Sequence, residues 1–562
     1  MSKRILIVGG VAGGASVAAR ARRLDEFAEI IMYERGPHVS FSNCALPFHL
    51  SDVVENSEDL VLMNPDVFWH QYRIRAEVNH EVLSIDREKK TIEVKDLKTG
   101  ETAEEAYDVL VLSPGANPIL PESIEGIEHE NVYVLRNVVD VVKIKDAMKD
   151  AEEVAVIGAG FIGMEVSENL VHAGKKVHLI EKADQVMAPF DHDMAQILHR
   201  ELYDQGVDLI LGDGVKSVGD NTVVLEDGKE INADAVIMAI GVEPENTLAK
   251  QAGLELGVDG AIKVNHHYQT SDPDIYAVGD AIEVHSFFTG KPMRLAMAGP
   301  AQRQARAAAD HIYGRTYRNT GVITSSVLRV FDLNAASTGM NEKELKAAGI
   351  PYDYAYVIPM DHVGLIPGAA PLFTKVLFGY PSGQLLGAQV IGKGAADKRA
   401  DVMAAMIMMH ANLEDLKELE LCYSPVYGTA KDALNHAALV GLNILNGDMK
   451  HVHVEDIRGL AEDGAFIIDA REEGEYEAGH IKGAHNIPLS QFRDRLDEIP
   501  KDQPVYIHCR SSQRSYNMCR ALMQRGYQPI NMDGSFLGLC VYEYFADQTE
   551  GREPIVTAYN FN

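Results

Sequence analysis

Two cysteines stand in surroundings that can do chemistry. Cys509 lies in His508-Cys509-Arg510-Ser511-Ser512-Gln513-Arg514-Ser515, between an apolar strand at 505–507 and a helix that follows Arg514. Successive backbone N–H groups in such a loop form an anion nest, and the helix N-terminus adds its positive end. Arg510 and Arg514 add charge, so Cys509 can be held as a thiolate. Cys44 lies in Ser40-Phe41-Ser42-Asn43-Cys44-Ala45-Leu46-Pro47, a few residues after a strand that ends at Glu34. The remaining cysteines, Cys422, Cys519 and Cys540, read as packing residues. Five cysteines are odd in number and widely spread. They make no disulfide framework and no Cys-x-x-Cys pair, so no metal site is expected and a reducing cytoplasm fits.

The elements that must position Cys44 form a repeated pattern. Strand Arg4–Val8 runs through Gly9-Gly10-Val11-Ala12-Gly13-Gly14 into an alanine-rich helix at 15–24, and a strand at 30–33 closes on Glu34. The order recurs as a strand at 154–157, Gly158-Ala159-Gly160-Phe161-Ile162-Gly163, a helix at 164–172 and a strand at 176–180 closing on Glu181. Each is a dinucleotide-binding unit. In the complete motif Gly158 allows the tight turn, Gly160 lets backbone approach a pyrophosphate, and Gly163 packs helix on strand. The helix N-terminus then faces the phosphates. Glu181 can take both ribose hydroxyls and repels a 2′-phosphate. NADH is therefore favoured, while Lys182 next door leaves NADPH open. The first turn carries Val11 where the middle glycine belongs. Gly10 is expected to give the close approach there, with Gly9 and Gly13 beside it and Glu34 on the ribose.

A chain of 562 residues with 46% hydrophobic and 24% charged residues has the composition of an ordinary globular protein of three or four domains. Its formal net charge of −31 argues against nucleic-acid or acidic-membrane partners. No uncharged apolar run reaches the roughly 18–20 residues of a membrane span. The apolar stretch at 1–19 reads as the strand and glycine turn rather than a cleaved signal. From 324 to 445 the texture changes to strands followed by methionine-rich helices, 446–451 is a polar linker, and a further α/β unit follows.

Thr270-Ser271-Asp272-Pro273-Asp274-Ile275-Tyr276-Ala277-Val278-Gly279-Asp280 resembles the second FAD motif of two-dinucleotide flavoproteins, in which the residue matching Asp280 binds the flavin's ribityl chain. Ser113-Pro114-Gly115-Ala116 and Ala239-Ile240-Gly241 resemble that family's two crossover segments. The Cys44 segment resembles the redox motif of the single-cysteine branch of the flavoprotein disulfide reductases, above all the coenzyme A-disulfide reductases, from about residue 3 to 440. The resemblance implies FAD, NADH and a homodimer. It also implies a Cys44 that cycles as thiolate and mixed disulfide or persulfide with an external partner, with a pKa lowered by flavin and helix dipole. It implies a coenzyme A pocket of Ser16, Arg20, Arg23, Ser40 and Asn43; Arg20 and Arg23 share a helix face. A lysine of the family falls on Tyr72, with Arg73 beside it. One family tyrosine matches Tyr423, with Lys431 following in the flavin-contact position. The family's His-x-x-Tyr-Tyr-Pro-Gly reads His362-Val363-Gly364-Leu365-Ile366-Pro367-Gly368 here, so a donor for the leaving thiolate is lost. Single-cysteine oxidases and peroxidases, which hold a cysteine sulfenate, carry a histidine in the first glycine turn; Val11 and Ala12 stand there instead.

The run from Ile468 to Pro488, with Asp469-Ala470-Arg471-Glu472-Glu473 and Gly479-His480-Ile481, resembles the rhodanese signature. The Cys509 loop resembles its active loop, which holds a terminal persulfide sulfur. The expected fold is α/β: two dinucleotide-binding (Rossmann-like) domains, an α+β dimerisation domain and a C-terminal α/β rhodanese domain. The boundaries are 1–150 and 271–323 for FAD, 151–270 for NAD(P)H, 324–446 for dimerisation and 447–562 for rhodanese. The expected activity is hydride transfer from NADH through FAD to a sulfur–sulfur bond at Cys44, in a persulfide, polysulfide or coenzyme A disulfide, with Cys509 handling persulfide sulfur. The alternatives are an NADH oxidase or peroxidase using a Cys44 sulfenate, and a redox-sensing sulfur carrier.

Overall fold

A computed structural model describes residues 3–561. The chain divides into two compact units, one of residues 1–182 with 213–322, the other of residues 183–212 with 323–562. The stretch 183–212, expected inside the NAD(P)H domain, thus clusters with the second unit. Its helix His192–Asp204 begins beside Asp191 and Asp193, which pair at 3.2 and 2.9 Å with a lysine of that unit, Lys375.

In the first unit, the apolar run Arg4–Val8 forms the centre of a parallel sheet. Glu29–Glu34 and Arg75–Val78 lie on one side of it, Val109–Leu112 and Ile275–Ala277 on the other. Ile5, Leu6 and Ile7 are wholly buried, as a strand covered on both faces requires. Helix Ala12–Leu24 offers Val17, Ala18 and Ala21 to the core and packs on the alanine-rich helix Ala298–Ile312. Small side chains let the two axes approach closely. A second parallel sheet places Lys176–Glu181, Glu153–Ile157, Ala235–Met238 and Val132–Val134 side by side. The two crossover segments meet each other. Ala116–Pro118 pairs antiparallel with Val242–Pro244, so the chain leaves and re-enters the half built on the first sheet through one ribbon.

In the second unit, an antiparallel sheet runs in the order Ser326–Val330, Leu333–Gly339, Leu385–Gly392, Leu372–Gly379, Tyr352–Val357. Lys375 sits fully buried on its fourth strand. A buried ammonium costs several kcal/mol unless it is paired. Asp191, Asp193 and Glu342 supply three carboxylates within 3.2 Å, and the lysine pKa is raised despite burial. A parallel sheet then runs His451–Val452, Gln528–Met532, Pro504–His508, Ile467–Asp469, His485–Asn486. Among the described residues no helix is long and apolar enough to cross a membrane.

Candidate active sites

The two glycine turns are built alike, and their superposed roles correct the expected assignment. Gly9 and Gly158 both hold left-handed backbone, φ +93° and +99°, against the carbonyls of Ser113 and Ala239. A Cβ on Gly14 would run into the Gly9 carbonyl, and one on Gly163 into the Gly158 carbonyl. Gly14, not Gly13, is therefore the packing glycine of the first turn; Gly13 lies against the Ser113 hydroxyl. Gly10 matches Ala159 rather than Gly160, because the N–H groups of Gly10 and Ala159 donate to Glu34 (3.0 Å) and Glu181 (2.8 Å). A Cβ on Gly10 would press on Val39 at 2.6 Å, so Gly10 does not give the close approach expected of it. Val11 takes the position that Gly160 holds in the second turn. Beside Gly160 lies nothing within 4 Å of a Cβ position, an open cradle of the kind a pyrophosphate needs.

Glu34 also accepts from Gly36 N–H (2.8 Å), so it braces its own turn before it meets any ribose. Asp280 is pushed up by burial against the pull of Arg136, and Arg136 reaches Pro114 O at 3.2 Å beside Gly115. Two like glycine turns, acids closing the second strands and a half-buried Asp280 fit FAD at the first turn, and the open cradle at Gly160 fits a nicotinamide dinucleotide at the second. Lys182 is held by Glu226 at 2.8 Å.

Cys44 sits exposed in a short turn, Asn43–Ala45. The next turn, Pro47–His49, packs on helix Phe161–His172, and the Ser51 hydroxyl donates to Asn169 Oδ1 at 2.5 Å. That helix carries Glu165, a residue the sequence reading missed. Burial, with Glu168 nearby, pushes the Glu165 carboxyl up to about 7. Partial burial, then Glu165 and Asp280, raises the Cys44 thiol above its ordinary value. The expected lowering is not supplied by the chain: a three-residue turn has no helix dipole to lend, and the nearby charges are negative.

A cavity of about 290 Å³ opens between the first helix and helix Ala298–Ile312, four residues upstream of Cys44 at its Ser40 wall. Ser16, Arg20, Arg23 and Ser40 line it as expected, joined by Gln302, Arg306 and the Phe68 ring. Asn43 is not among its walls. Ser40 is held at φ +49° by Gly10 O (2.8 Å). The Ser16 hydroxyl donates to Gln302 (2.7 Å), and Arg20 is spent on Asp310 at 2.8 Å through Nε. Arg23 is the cation left for a ligand, joined by Arg306, which pairs with Asp310 only at 3.9 Å. Arg22, on the opposite face, donates to the carbonyls of Tyr72 and Arg73 and is structural. Arg73 lies over the Trp69 ring at 5.2 Å, away from that role.

Tyr423 and Lys431 belong to the second unit and are exposed, as are Leu365, Val426 and Tyr427. The two loops that carry the family's tyrosine positions are tied together by Val363 N–H to Pro425 O at 3.2 Å.

Cys509 is 1% exposed at the base of its loop. Ser512 holds φ +72°, where a glycine is the easier fit, and its hydroxyl is anchored on Met532 O (3.1 Å). Helix Gln513–Met523 starts directly after it. The N–H groups of Cys509 and Ser512 both donate to Ser535 Oγ, at 3.1 and 3.0 Å. Those two amides therefore shape the loop instead of lining the nest. Phe536 and Leu537 N–H close the loop from behind on Cys509 O and Arg510 O. Arg514 forks onto Glu475 at 2.6 and 2.7 Å, and both Glu475 and Cys509 raise it. Burial and Arg514 lower Arg510. Ser515 lies 3.7 Å from Cys509 Sγ. Burial raises both Cys519 and Cys540, the latter to about 11, as suits packing thiols, whereas Cys422 is exposed and does not pack as expected. Glu475 was visible in the quoted signature; Ser535 had no local signal.

Over residues 3–305 the chain matches the pyridine nucleotide-disulphide oxidoreductases, over 325–434 their dimerisation domain, and over 453–540 the rhodanese-like domain. The coenzyme A disulfide reductase of Staphylococcus epidermidis is 34% identical over 435 residues, 77% of this chain and 98% of that protein. The reduced CoADR-RHD of Bacillus anthracis superposes with a TM-score of 0.94 at 44% identity, covering 98% of this chain and 99% of that one. A NAD-dependent persulfide reductase from A. fulgidus superposes with a TM-score of 0.90 at 32% identity, covering 96% and 99%. Paired glycine cradles, a lone cysteine beside the first of them and a cysteine loop in a separate parallel sheet agree with these matches. The chain belongs to the pyridine nucleotide-disulphide oxidoreductase family and carries that family's dimerisation domain and a C-terminal rhodanese-like domain.

Proposed function

We propose that this oxidoreductase uses NADH to reduce thiol persulfides, and coenzyme A disulfide more slowly, at Cys44. The carrying observation is the cationic cavity that ends at Ser40, next to the only cysteine of its unit. FAD, when bound, passes two electrons from NADH to sulfur. The Cys44 thiolate attacks the outer sulfur of a persulfide R–S–SH, the S–S bond breaks, and R–S⁻ leaves with a proton. Two electrons and a proton then open the Cys44 persulfide to sulfide and thiolate. The sum is R–S–SH + NADH + H⁺ giving R–SH + H₂S + NAD⁺. Glu165, protonated near neutrality, is the proton reservoir beside Cys44. Arg23 and Arg306 hold the phosphates of a coenzyme A carrier. Glu181 with Lys182 engaged by Glu226 favours NADH.

Cys509 accepts or presents persulfide sulfur under Arg514 and Arg510. The exposed apolar loops around Leu365, Val426 and Tyr427 support a homodimer in which a second copy covers them. Five free cysteines support a cytoplasmic setting. The test compares NADH oxidation with oxygen, coenzyme A disulfide and coenzyme A persulfide, in the parent and in Cys44→Ser. Persulfide should give many turnovers per flavin with sulfide released. Sulfide release that survives Cys44→Ser refutes the assignment, and rapid oxidation in air without sulfur substrate restores the oxidase reading.

A further inference from the structure

The second unit holds a cluster that none of this chemistry uses. His451 and His453 flank the first strand of the rhodanese sheet, with their rings 4.8 Å apart at 89°. Facing them is Asp353, on the edge strand Tyr352–Val357 of the antiparallel sheet. One ligand atom each from Asp353, His451 and His453 lie within 4.8 Å of one another.

Three details separate this cluster from an ordinary surface ion pair. His451 Nε2 and Asp353 Oδ2 are 3.5 Å apart. Two ligands on one tetrahedral zinc, with bonds of about 2.0–2.1 Å, stand about 3.3 Å from each other. Asp533, almost wholly buried, accepts from the far nitrogen of His451, Nδ1, at 2.6 Å. That bond fixes the tautomer and turns the Nε2 lone pair toward Asp353, the arrangement a metal-bound histidine takes from its carboxylate partner. His453 Nδ1 is shut off from solvent 3.3 Å from Asp533 without hydrogen-bond geometry, and the Tyr354 ring stacks on His453 at 4.0 Å, fixing its plane. Two imidazoles, whose ring nitrogens give up a proton to bind a metal, and two aspartates offer a donor set that matches a divalent ion.

We infer that Asp353, His451 and His453 form a zinc-type divalent metal site, oriented by Asp533, that ties the first rhodanese strand to the edge of the dimerisation-domain sheet. The competing occupant is a proton on His451 Nε2, which would make the same atoms a plain ion-pair bridge.

Zinc chloride alone, added to chelator-stripped full-length protein, tests this. The background carries Cys44→Ser, Cys422→Ser and Cys509→Ser, so that neither the exposed thiols nor the rhodanese-loop thiol can bind the ion. One zinc per chain is expected by competition with a chromophoric chelator, together with a higher thermal midpoint. Asp353→Asn and His453→Ala should each weaken binding roughly a hundredfold and abolish the thermal shift, and Asp533→Asn should weaken it about tenfold. Circular dichroism of Asp353→Asn, which changes one charge on a half-buried edge-strand side chain, guards against misfolding as the cause. No zinc retained by the parent background, or zinc retained equally by Asp353→Asn and His453→Ala, overturns the site and leaves the proton-bridged pair.

Discussion

Glu165→Gln tests the electrostatic reading of the Cys44 site most directly. Glu165 keeps its proton up to about pH 7 in the folded chain, against an ordinary value of 4.5, chiefly because burial penalises the carboxylate. Ionising it in place therefore costs the folded state roughly 3 kcal/mol. The folded chain holds a proton that the unfolded chain releases, so stability falls as pH rises from 4.5 through about 7. Glutamine never ionises and removes that cost. The variant should gain up to about 3 kcal/mol at pH 8.5 but under about 1 kcal/mol at pH 5. Trp69, the only tryptophan, lies in the same unit as Glu165, so its fluorescence in a urea titration reports that unit selectively. The same substitution takes a negative charge from the neighbourhood of Cys44, and the pH profile of Cys44 alkylation, followed by peptide mass, should move to lower pH. A stability gain equal at both pH values, or an unmoved alkylation profile, refutes the coupling of Glu165 to Cys44.

Removing Arg306 with alanine should raise the KM for coenzyme A persulfide about tenfold, the worth of a lost charge-assisted phosphate contact, and leave the KM for a persulfide without phosphate unchanged. Ser535→Ala leaves two loop N–H groups without their acceptor, a local cost of about 2 kcal/mol. Sulfur transfer at Cys509 should fall at least about tenfold while NADH oxidation with a soluble persulfide persists, as a coupled assay of both activities would reveal. Gly14→Ala should abolish flavin retention on gel filtration, because its Cβ meets the Gly9 carbonyl. Gly13→Ala meets side-chain atoms alone, the rotatable Ser113 hydroxyl and, at 3.1 Å, a Val278 methyl, and should keep more of the flavin.

What the sequence made legible follows the range of the interactions. Strand, turn, helix and closing acid lie within about thirty residues in each dinucleotide unit, and both units read correctly. Within the first turn four glycines compete for three roles. Val11 stands at the middle position as read, but that Gly10 packs on Val39 and Gly14 on the Gly9 carbonyl is seen only in the fold. Helical spacing put Arg20 and Arg23 on one face, but it could not give their partners, because Asp310 and Arg306 come from a helix nearly three hundred positions later. The acids around the Cys44 thiol were out of reach for the same reason. Its local segment has no charge at all, and the carboxylates that raise it, Glu165 and Asp280, arrive through the fold.

The two reactive cysteines stand in opposite electrostatic settings, and this bears on how each can work. Cys509 lies at the start of a helix near Arg514 and Arg510, positive charge that in the proposed chemistry would favour a persulfide anion. Cys44 faces two acids, so the bare chain favours its thiol. A nucleophile arranged in this way stays quiet until positive charge or a proton-accepting carboxylate is at hand. Glu165, balanced near pH 7, can take the Cys44 proton as the thiolate attacks and return it to the departing thiolate. The raised thiol is then no obstacle to the proposed chemistry: it couples the reactivity of Cys44 to the protonation of Glu165, and in that chemistry the holding of persulfide sulfur falls to Cys509.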